Sequence, residues 1–490
     1  MKRSDSLAWK HAIDQEIENI KRHAVFETTP LPANIKPIRG GWVFVKKPAS
    51  KTCKARYKAQ YVARGNSQLS GCDFHETFAP TATFTSLRLL LTAAAHLNWH
   101  TSSFDFVAAY LNAPIDEELW IRPPEGMVIP KGHSCRLRKA LYGTRQAGRC
   151  WWTHLRKSLE TRGYSLSSYN NSVFFNKSTN IIIWLHVDDG VVFGKKKSNI
   201  DDLHLSLSVE FGLKWNPELD SIVGLNIQRD AHGFHLSQVR LIQSILADHW
   251  DQKEDYESPL PAKCDLLTLP EQDETVRQHY FLSAVGALSY VVTGTRPDLA
   301  YAVNLLARYS LRPGTTHWRC LQHVLGYLNK TQHCWLSLSS KPDSSELVVY
   351  SDASWGGEFS RSSHRYVTTF FGCPIAWCAK RLATIASSSC HAEFMVLAMA
   401  ARHGQWLQHP LLQLRCDNAS CIKIAMDCSS NKRTQHSDRD FFFTNQLLYN
   451  GSACIHWVPS SKMLADGFTK PLGPLLHKRL LQHFFVRPFF

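Results

Sequence analysis

Two adjacent aspartates, Asp188 and Asp189, stand where one apolar run (Ile181 to Leu185) ends and, past Gly190, another (Val191 to Phe193) begins. Two short β-prone runs about an Asp-Asp-Gly sequence read as a buried hairpin with its acids at the tip. Carboxylates ~4 Å apart at an effective dielectric of about 20 repel by about 4 kcal/mol. One of the pair therefore keeps a proton unless cations are drawn in. That chemistry is a divalent-metal site for phosphoryl or nucleotidyl transfer, set against the plainer reading of a hairpin turn. A further acid, Asp105, closes a strand upstream, with the aromatic Tyr110 five residues on. An isolated Asp at a strand-to-helix junction is more often a cap than a ligand; the acidic hairpin downstream shifts that balance. Four more carboxylates follow an order of their own. Asp352 lies in the strand ELVVYSDASW and Glu393 near the start of the helix SSSCHAEFMVLAMAAR. Asp417 ends the strand LQLRCD, and Asp466 opens a last short helix in KMLADGF.

The elements that must position these groups are legible in the periodicity. Trp9, Ile13, Ile17 and Ile20 fall at helical spacing, with Ser4, Asp5 or Ser6 available as a cap. Trp42 to Lys47 and Lys54 to Ala63 read as strands, and Lys54, Arg56 and Lys58, two apart, share one face. Such a row is a solvated surface or a phosphate clamp. A Leu- and Ala-rich helix spans Ser86 to His96. The strand ending at Asp105 passes into a short helix that Pro114 stops. Between the two acidic stretches, KALYGTRQAGRCWW (Lys139 to Trp152) sets small residues, cations and Gln146 before a helix. A Pro-containing linker is expected around Pro259 to Pro270, then three apolar-periodic helices.

Composition narrows the class. The chain has 490 residues, 44% of them hydrophobic, and 56 Lys+Arg against 41 Asp+Glu give a net charge of +15. That excess suits a polyanionic partner, and the length suits two to four domains. No apolar run is long enough to span a bilayer and no secretory leader precedes the first helix, so a membrane partner is excluded. The fourteen cysteines form no Cys-x-x-Cys pair; Cys373/Cys378 and Cys416/Cys421 are five apart. Neither a zinc ribbon nor a disulfide framework is indicated, and free thiols in a reducing compartment are expected.

Taken together, the runs GGWVFVKK, ARYKAQYVARGNSQ, DFHETFAP, FDFVAAYLNAPIDEELWIRPPEG, LRKALYGTRQAGRCWW and WLHVDDGVVFG resemble the reverse transcriptase of copia-type long-terminal-repeat retrotransposons, collinearly from about Trp9 to the end. The resemblance implies an α/β fold: right-hand fingers, palm and thumb followed by a ribonuclease H-like domain. Fingers and palm would occupy residues 1–240, thumb and connection helices 241–345, the ribonuclease H-like domain 346–475 and a tail 476–490. It implies that Asp105, Asp188 and Asp189 bind two Mg2+ ions, with Mn2+ able to substitute. Tyr110 would crowd the sugar 2′-position, Gln146 would hold the incoming nucleotide in register, and Lys54, Arg56 and Lys58 would clamp the triphosphate. In the second set, Asp352, Glu393, Asp417 and Asp466 would hold two ions against an RNA phosphodiester. Implied partners are an RNA template, a DNA primer, dNTPs and an RNA–DNA hybrid. The implied setting is intracellular, in a cytoplasmic virus-like particle or the nucleus.

Several residues depart from the family's pattern. His186 stands where Tyr is usual, two before Asp188. Arg365 replaces a Gly of the second strand in the nuclease half, His391 a Glu, and Ser461 sits where cellular ribonucleases H carry a mobile His. The connection from the Glu393 helix to the Asp417 strand, after His409-Pro410, is contracted. Helix length and strand return nearly cancel (~24 Å out at 1.5 Å per residue, about 23 Å back at ~3.3 Å). Asp417 is therefore expected level with Glu393, and the four acids on one pocket. The sequence holds no capsid-like segment, protease Asp-Ser/Thr-Gly or integrase zinc motif, so a processed product or a genomic remnant is expected, with the remnant favoured. The competing function is a non-catalytic nucleic-acid-binding remnant.

Overall fold

The strand Ile181–His186 turns back on Asp189–Gly194 through two residues, Val187 and Asp188, with His186 opposite Asp189. This hairpin lies at the middle of a six-stranded sheet in a computed structural model of the chain. The structure describes residues 5–47, 56–251, 254–261, 276, 278–339, 347–355, 362–382, 384–407, 412–426, 438–468 and 474–486. The chain divides into two units, Met1–Ala82 with Thr101–Glu218, and Thr83–His100 with Leu219–Phe490.

In the first unit the sheet order is Leu213–Asn216, His100–Phe106, Asp189–Gly194, Ile181–His186, Val173–Asn176 and Ser165–Leu166. The strands bearing Asp105 and Asp189 are thus direct neighbours. Phe104, Phe106, Trp151, Leu155, Phe174, Ile183 and Phe211 fill the core beside it, contributed by the sheet, the helix Ala147–Thr161 and the end of the helix Lys197–Glu210. The expected opening helix is Ser6–Arg22, packed on the antiparallel pair Gly40–Lys47 and Arg56–Ala63. A small sheet of Phe26–Pro30, His133–Leu137 and Trp120–Ile121 completes the unit.

The second unit takes in the helix Phe84–His96, capped by the Thr83 side chain. Arg88 fastens that helix from within: its buried guanidinium donates to the carbonyls of Ile375 (2.7 Å), Thr293 (2.9 Å) and Gly294 (2.7 Å). Helices Val239–His249, Gln278–Gly294, Ala300–Ala307 and Thr315–Lys330 bury a core that includes Phe281, Leu288 and Leu325. The linker expected at Pro259 to Pro270 lies mostly outside the described residues. Near the C-terminus, the helix Pro474–Phe484 leads into Phe485–Val486, which pairs with Trp335–Ser339.

A second five-stranded sheet in this unit runs in the order Cys373–Arg381, Ser363–Phe370, Leu347–Ser354, Leu412–Cys416, Ala453–Trp457. The first three are antiparallel and the last three parallel. Parallel neighbours need a crossover, and the helix Ser389–Trp406 supplies it, capped by Ser388 Oγ accepting from the His391 N–H. Leu347, Val349, Phe394, Leu397 and Leu414 pack between helix and sheet. This is the α/β arrangement expected for the nuclease half.

Candidate active sites

The hairpin that carries the paired acids is not built as the Asp-Asp-Gly turn its sequence suggests. The turn residues are Val187 and Asp188, and Val187 has φ +59°, a left-handed conformation costly for a β-branched side chain. Two bonds hold the turn in place: the Trp151 indole N–H donates to the Val187 carbonyl at 2.7 Å, and the Phe106 N–H donates to the Asp188 carbonyl at 2.8 Å. Gly190 lies in the strand with an ordinary φ; a Cβ there would meet the Phe104 ring at 2.1 Å. Its role is to admit Phe104, which leaves the neighbouring strand free to bring Asp105 alongside.

Asp188 and Asp189 both feel the charge of Asp105. Asp189, half-buried, is pushed up to about 6 by burial and then by the charges of Asp188 and Asp105, with Lys214 opposing. Asp188 is raised by burial and by Asp105, against its own backbone N–H, His186 and Lys58. Lys214, opposite Asp105 across the sheet edge, forms an ion pair with it. Raised carboxylates in a hard-oxygen cluster fit a divalent cation, which would replace the retained proton.

Around this cluster the sequence-predicted groups fall into three classes. Tyr110 is brought in: it packs against Tyr142 with ring centroids 5.1 Å apart, and burial together with the Asp188 charge raises its hydroxyl. Lys58 is the cation of its row whose charge acts on Asp188; Arg56 is exposed on the same strand face, and Lys54 lies outside the described residues. Gln146 is wholly buried. Its amide donates to the Asp73 carbonyl and to Glu117 Oε2, both at 2.9 Å, and accepts from Gln68 Nε2 at 3.1 Å. The side chain expected to touch a nucleotide is instead engaged in bracing the loops around it.

In the second unit, Glu393 Oε2 is buried with no hydrogen-bond partner. Ligand atoms of Glu393, Cys416 and Asp417 all lie within 4.8 Å of one another. Glu393 is pushed up to about 9 by burial and then by Asp352, Cys416 and Asp417, with the Ala353 N–H opposing. Asp417 Oδ2 accepts from Ser460 Oγ at 2.9 Å. Although the contracted connection at 408–411 lies outside the described residues, Asp417 returns level with Glu393, its carboxylate within 4.8 Å of the Glu393 carboxylate. Asp466 sits in the turn Leu464–Phe468, which packs on the strands bearing Asp352 and Arg365. An orphaned buried carboxylate beside Asp417, and within reach of the Asp352 charge, fits a divalent cation.

Residues 23–261 match the model of the family described as reverse transcriptase (RNA-dependent DNA polymerase). The chain is 31% identical over 484 residues to the retrovirus-related Pol polyprotein from transposon RE2 of Arabidopsis thaliana, covering 95% of this chain and 33% of that polyprotein. Residues 23–261 belong to the reverse transcriptase family. The chain as a whole is related to copia-type Pol polyproteins. A second relative, the Pol polyprotein from transposon TNT 1-94 of Nicotiana tabacum, is 30% identical over 94% of this chain and 36% of its own length. The chain thus spans about a third of the length of these relatives. The fold is similar to the foamy viral protease-reverse transcriptase solved with an RNA/DNA hybrid, with a TM-score of 0.51 at 12% identity, over 94% of this chain and 54% of that one.

Sequence reasoning passes over three participants, two at the first site and one at the second. Trp151 was one letter of a CWW run, with no signal that its N–H reaches the hairpin. Lys214 sits in a strand whose partner, and therefore whose neighbour Asp105, is fixed only by the sheet. Cys416 directly precedes Asp417 and was read only as a free thiol; the cysteines described are indeed free. Among the described residues, no helix is long and apolar enough to cross a membrane.

Proposed function

We propose that the chain is an RNA-directed DNA polymerase whose C-terminal half cleaves the RNA strand of an RNA–DNA hybrid. Fingers and palm are assigned to the first unit; thumb, connection and nuclease are assigned to the second. The observation that carries the reading is the assembly of Asp105 and Asp189 on neighbouring strands with Asp188 in the turn that Trp151 and Phe106 hold. These three would hold two Mg2+ ions, or Mn2+, and Glu393, Asp417, Asp352 and Asp466 are the donors of the second site. Bound there, the ions supply Lewis-acid activation of the attacking hydroxyl and charge neutralisation of the leaving group.

The chain's own residues do the rest. Tyr110, fixed against Tyr142, limits space beside Asp188 and so disfavours a sugar bearing a 2′-hydroxyl. Lys58, with Arg56 behind it on the same strand face, presents positive charge toward the triphosphate. His186 stands opposite Asp189 at the end of its strand and offers a ring to the primer terminus. Gln146 positions the loops at Gln68, Asp73 and Glu117 and is not assigned contact with the nucleotide. The +15 net charge supports a template and primer bound through their phosphates.

The test is Mg2+-dependent extension of a DNA primer on an RNA template with dNTPs. Extension is expected, and Asp188→Asn or Asp189→Asn should abolish it while sparing hybrid cleavage. Folded protein that extends no primer, or extension surviving either substitution near the wild-type rate, would sink the assignment.

A further inference from the structure

Each acidic site has a cation of the protein's own close by, ion-paired in the first and set opposite across the strands in the second, and the two differ in their freedom to leave. Lys214 beside Asp105 is largely exposed on a flexible stem, so an incoming metal ion can displace it into water at little cost. Arg365 faces Asp352 directly across the antiparallel pair, and opposite residues project to one face of a sheet. It is among the largest fully buried side chains of the molecule. Its Nε and Nη1 have no hydrogen-bond partner, and the guanidinium lies 5.3 Å from the Tyr301 ring centroid. The turn bearing Asp466 packs over the same two strands. Burial holds the guanidinium below the usual arginine range, at about 10, and Arg308 adds to that, while Asp352, Tyr301 and Asp466 oppose it and favour the charged form. A buried guanidinium with unfilled donors persists only where compensating charge surrounds it.

We propose that Arg365 is a resident cation of the nuclease half, neutralising Asp352 and Asp466 from inside the fold and competing there with a divalent ion. The Glu393–Asp417 side keeps its orphaned carboxylate oxygen and remains open to one ion; the Asp352–Asp466 side binds a second only weakly. The nuclease half is therefore a site in which one of two metal positions is held down by an arginine. This rests on the reading of the four acids as metal ligands.

The experiment is Mn2+ binding, followed by electron paramagnetic resonance and calorimetry, on the full chain carrying Asp188→Asn and Asp189→Asn so that the polymerase site is silent. In that background Arg365→Met, which keeps volume and removes charge, and Arg365→Gly are compared with the parent, with melting curves establishing that each folds. Either substitution is expected to tighten Mn2+ binding by tenfold or more, or to raise the number of ions bound, and Asp352→Asn added to Arg365→Met should cancel the gain. If Arg365→Met binds Mn2+ like its parent, and Asp352→Asn weakens that binding, the ligands are right and the competing role of Arg365 is wrong. Failure of every variant to bind Mn2+ would overturn the metal-site reading and the proposal with it. Should Arg365→Gly not fold, Arg365→Met alone decides. A structural role alone would change melting temperature without moving Mn2+ affinity.

Discussion

Trp151 donates its indole N–H to the carbonyl of Val187, and Val187 is the residue whose left-handed backbone turns the chain just before Asp188. A β-branched residue in that region costs of order 1–3 kcal/mol and persists only where its surroundings over-determine it. Trp151, itself buried in the core beside Phe106 and Phe211, is the side chain that does so. The strain sits at the one place where the direction of two carboxylates matters.

Trp151→Phe keeps a ring in the core and deletes the donor. A buried carbonyl left unpaired costs about 1–3 kcal/mol, so melting should fall accordingly. Extension should fall further, by tenfold or more in kcat, because the turn is then free to relax. Val187→Gly removes the strain and should raise melting while also lowering kcat. Unchanged kcat in both, measured by single-turnover primer extension, would show that the turn geometry is not used.

Tyr110→Val should open space beside Asp188 and admit ribonucleotides. A contact of this kind is worth ~1–3 kcal/mol, or roughly 10- to 200-fold in discrimination. The ratio of kcat/KM for dNTP to that for rNTP is the measurement. An unchanged ratio would make Tyr110 a plain packing partner of Tyr142.

The fold was legible where one residue type implies one local state. The Glu393 helix, the strands around each Asp and the short helix before Pro114 all follow from periodicity and caps. The neighbours of Asp188 and Asp189 point to an acidic hairpin, but Asp-Asp-Gly, a common turn composition, suggests a later turn than the one formed by Val187 and Asp188. Gly190 is small for Phe104, a long-range reason that no local rule contains. Gln146 looked like a polar group offered to a ligand. Only the tertiary structure, which brings Gln68, Asp73 and Glu117 around it, shows its amide already spoken for. Arg365 was visible as an oddity in a strand, but its meaning depends on strand register.

Gly190→Ala tests the packing reading. The added methyl would lie 2.1 Å from Phe104, and overpacking a well-filled core commonly costs 1–3 kcal/mol. Phe104→Leu in the same chain should recover part of the loss, giving a favourable coupling in a double-mutant cycle of denaturation midpoints. Additive losses would mean that Gly190 serves the backbone and not Phe104.

Glu393 gives a pH signature that does not require activity. Its carboxyl is raised from the ordinary range to about 9 by burial and by the neighbouring Asp352 and Cys416. The folded protein therefore keeps this proton at pH values where the unfolded chain has released it. Below about pH 4.5 both states hold the proton and the group is neutral to stability. Between there and about pH 9 the folded state loses stability steadily, at up to about 1.4 kcal/mol per pH unit. Glu393→Gln removes the titrating group. In metal-free buffer its melting temperature should match wild type near pH 5 and exceed it increasingly toward pH 9. Mn2+ reverses the preference by stabilising the ionised carboxylate, so saturating ion should narrow the gap at pH 8, from the wild-type side. A melting difference that stays constant from pH 5 to 9, with and without Mn2+, would mean that the orphaned oxygen of Glu393 has a partner in solution and that this side of the site is already closed to a metal ion.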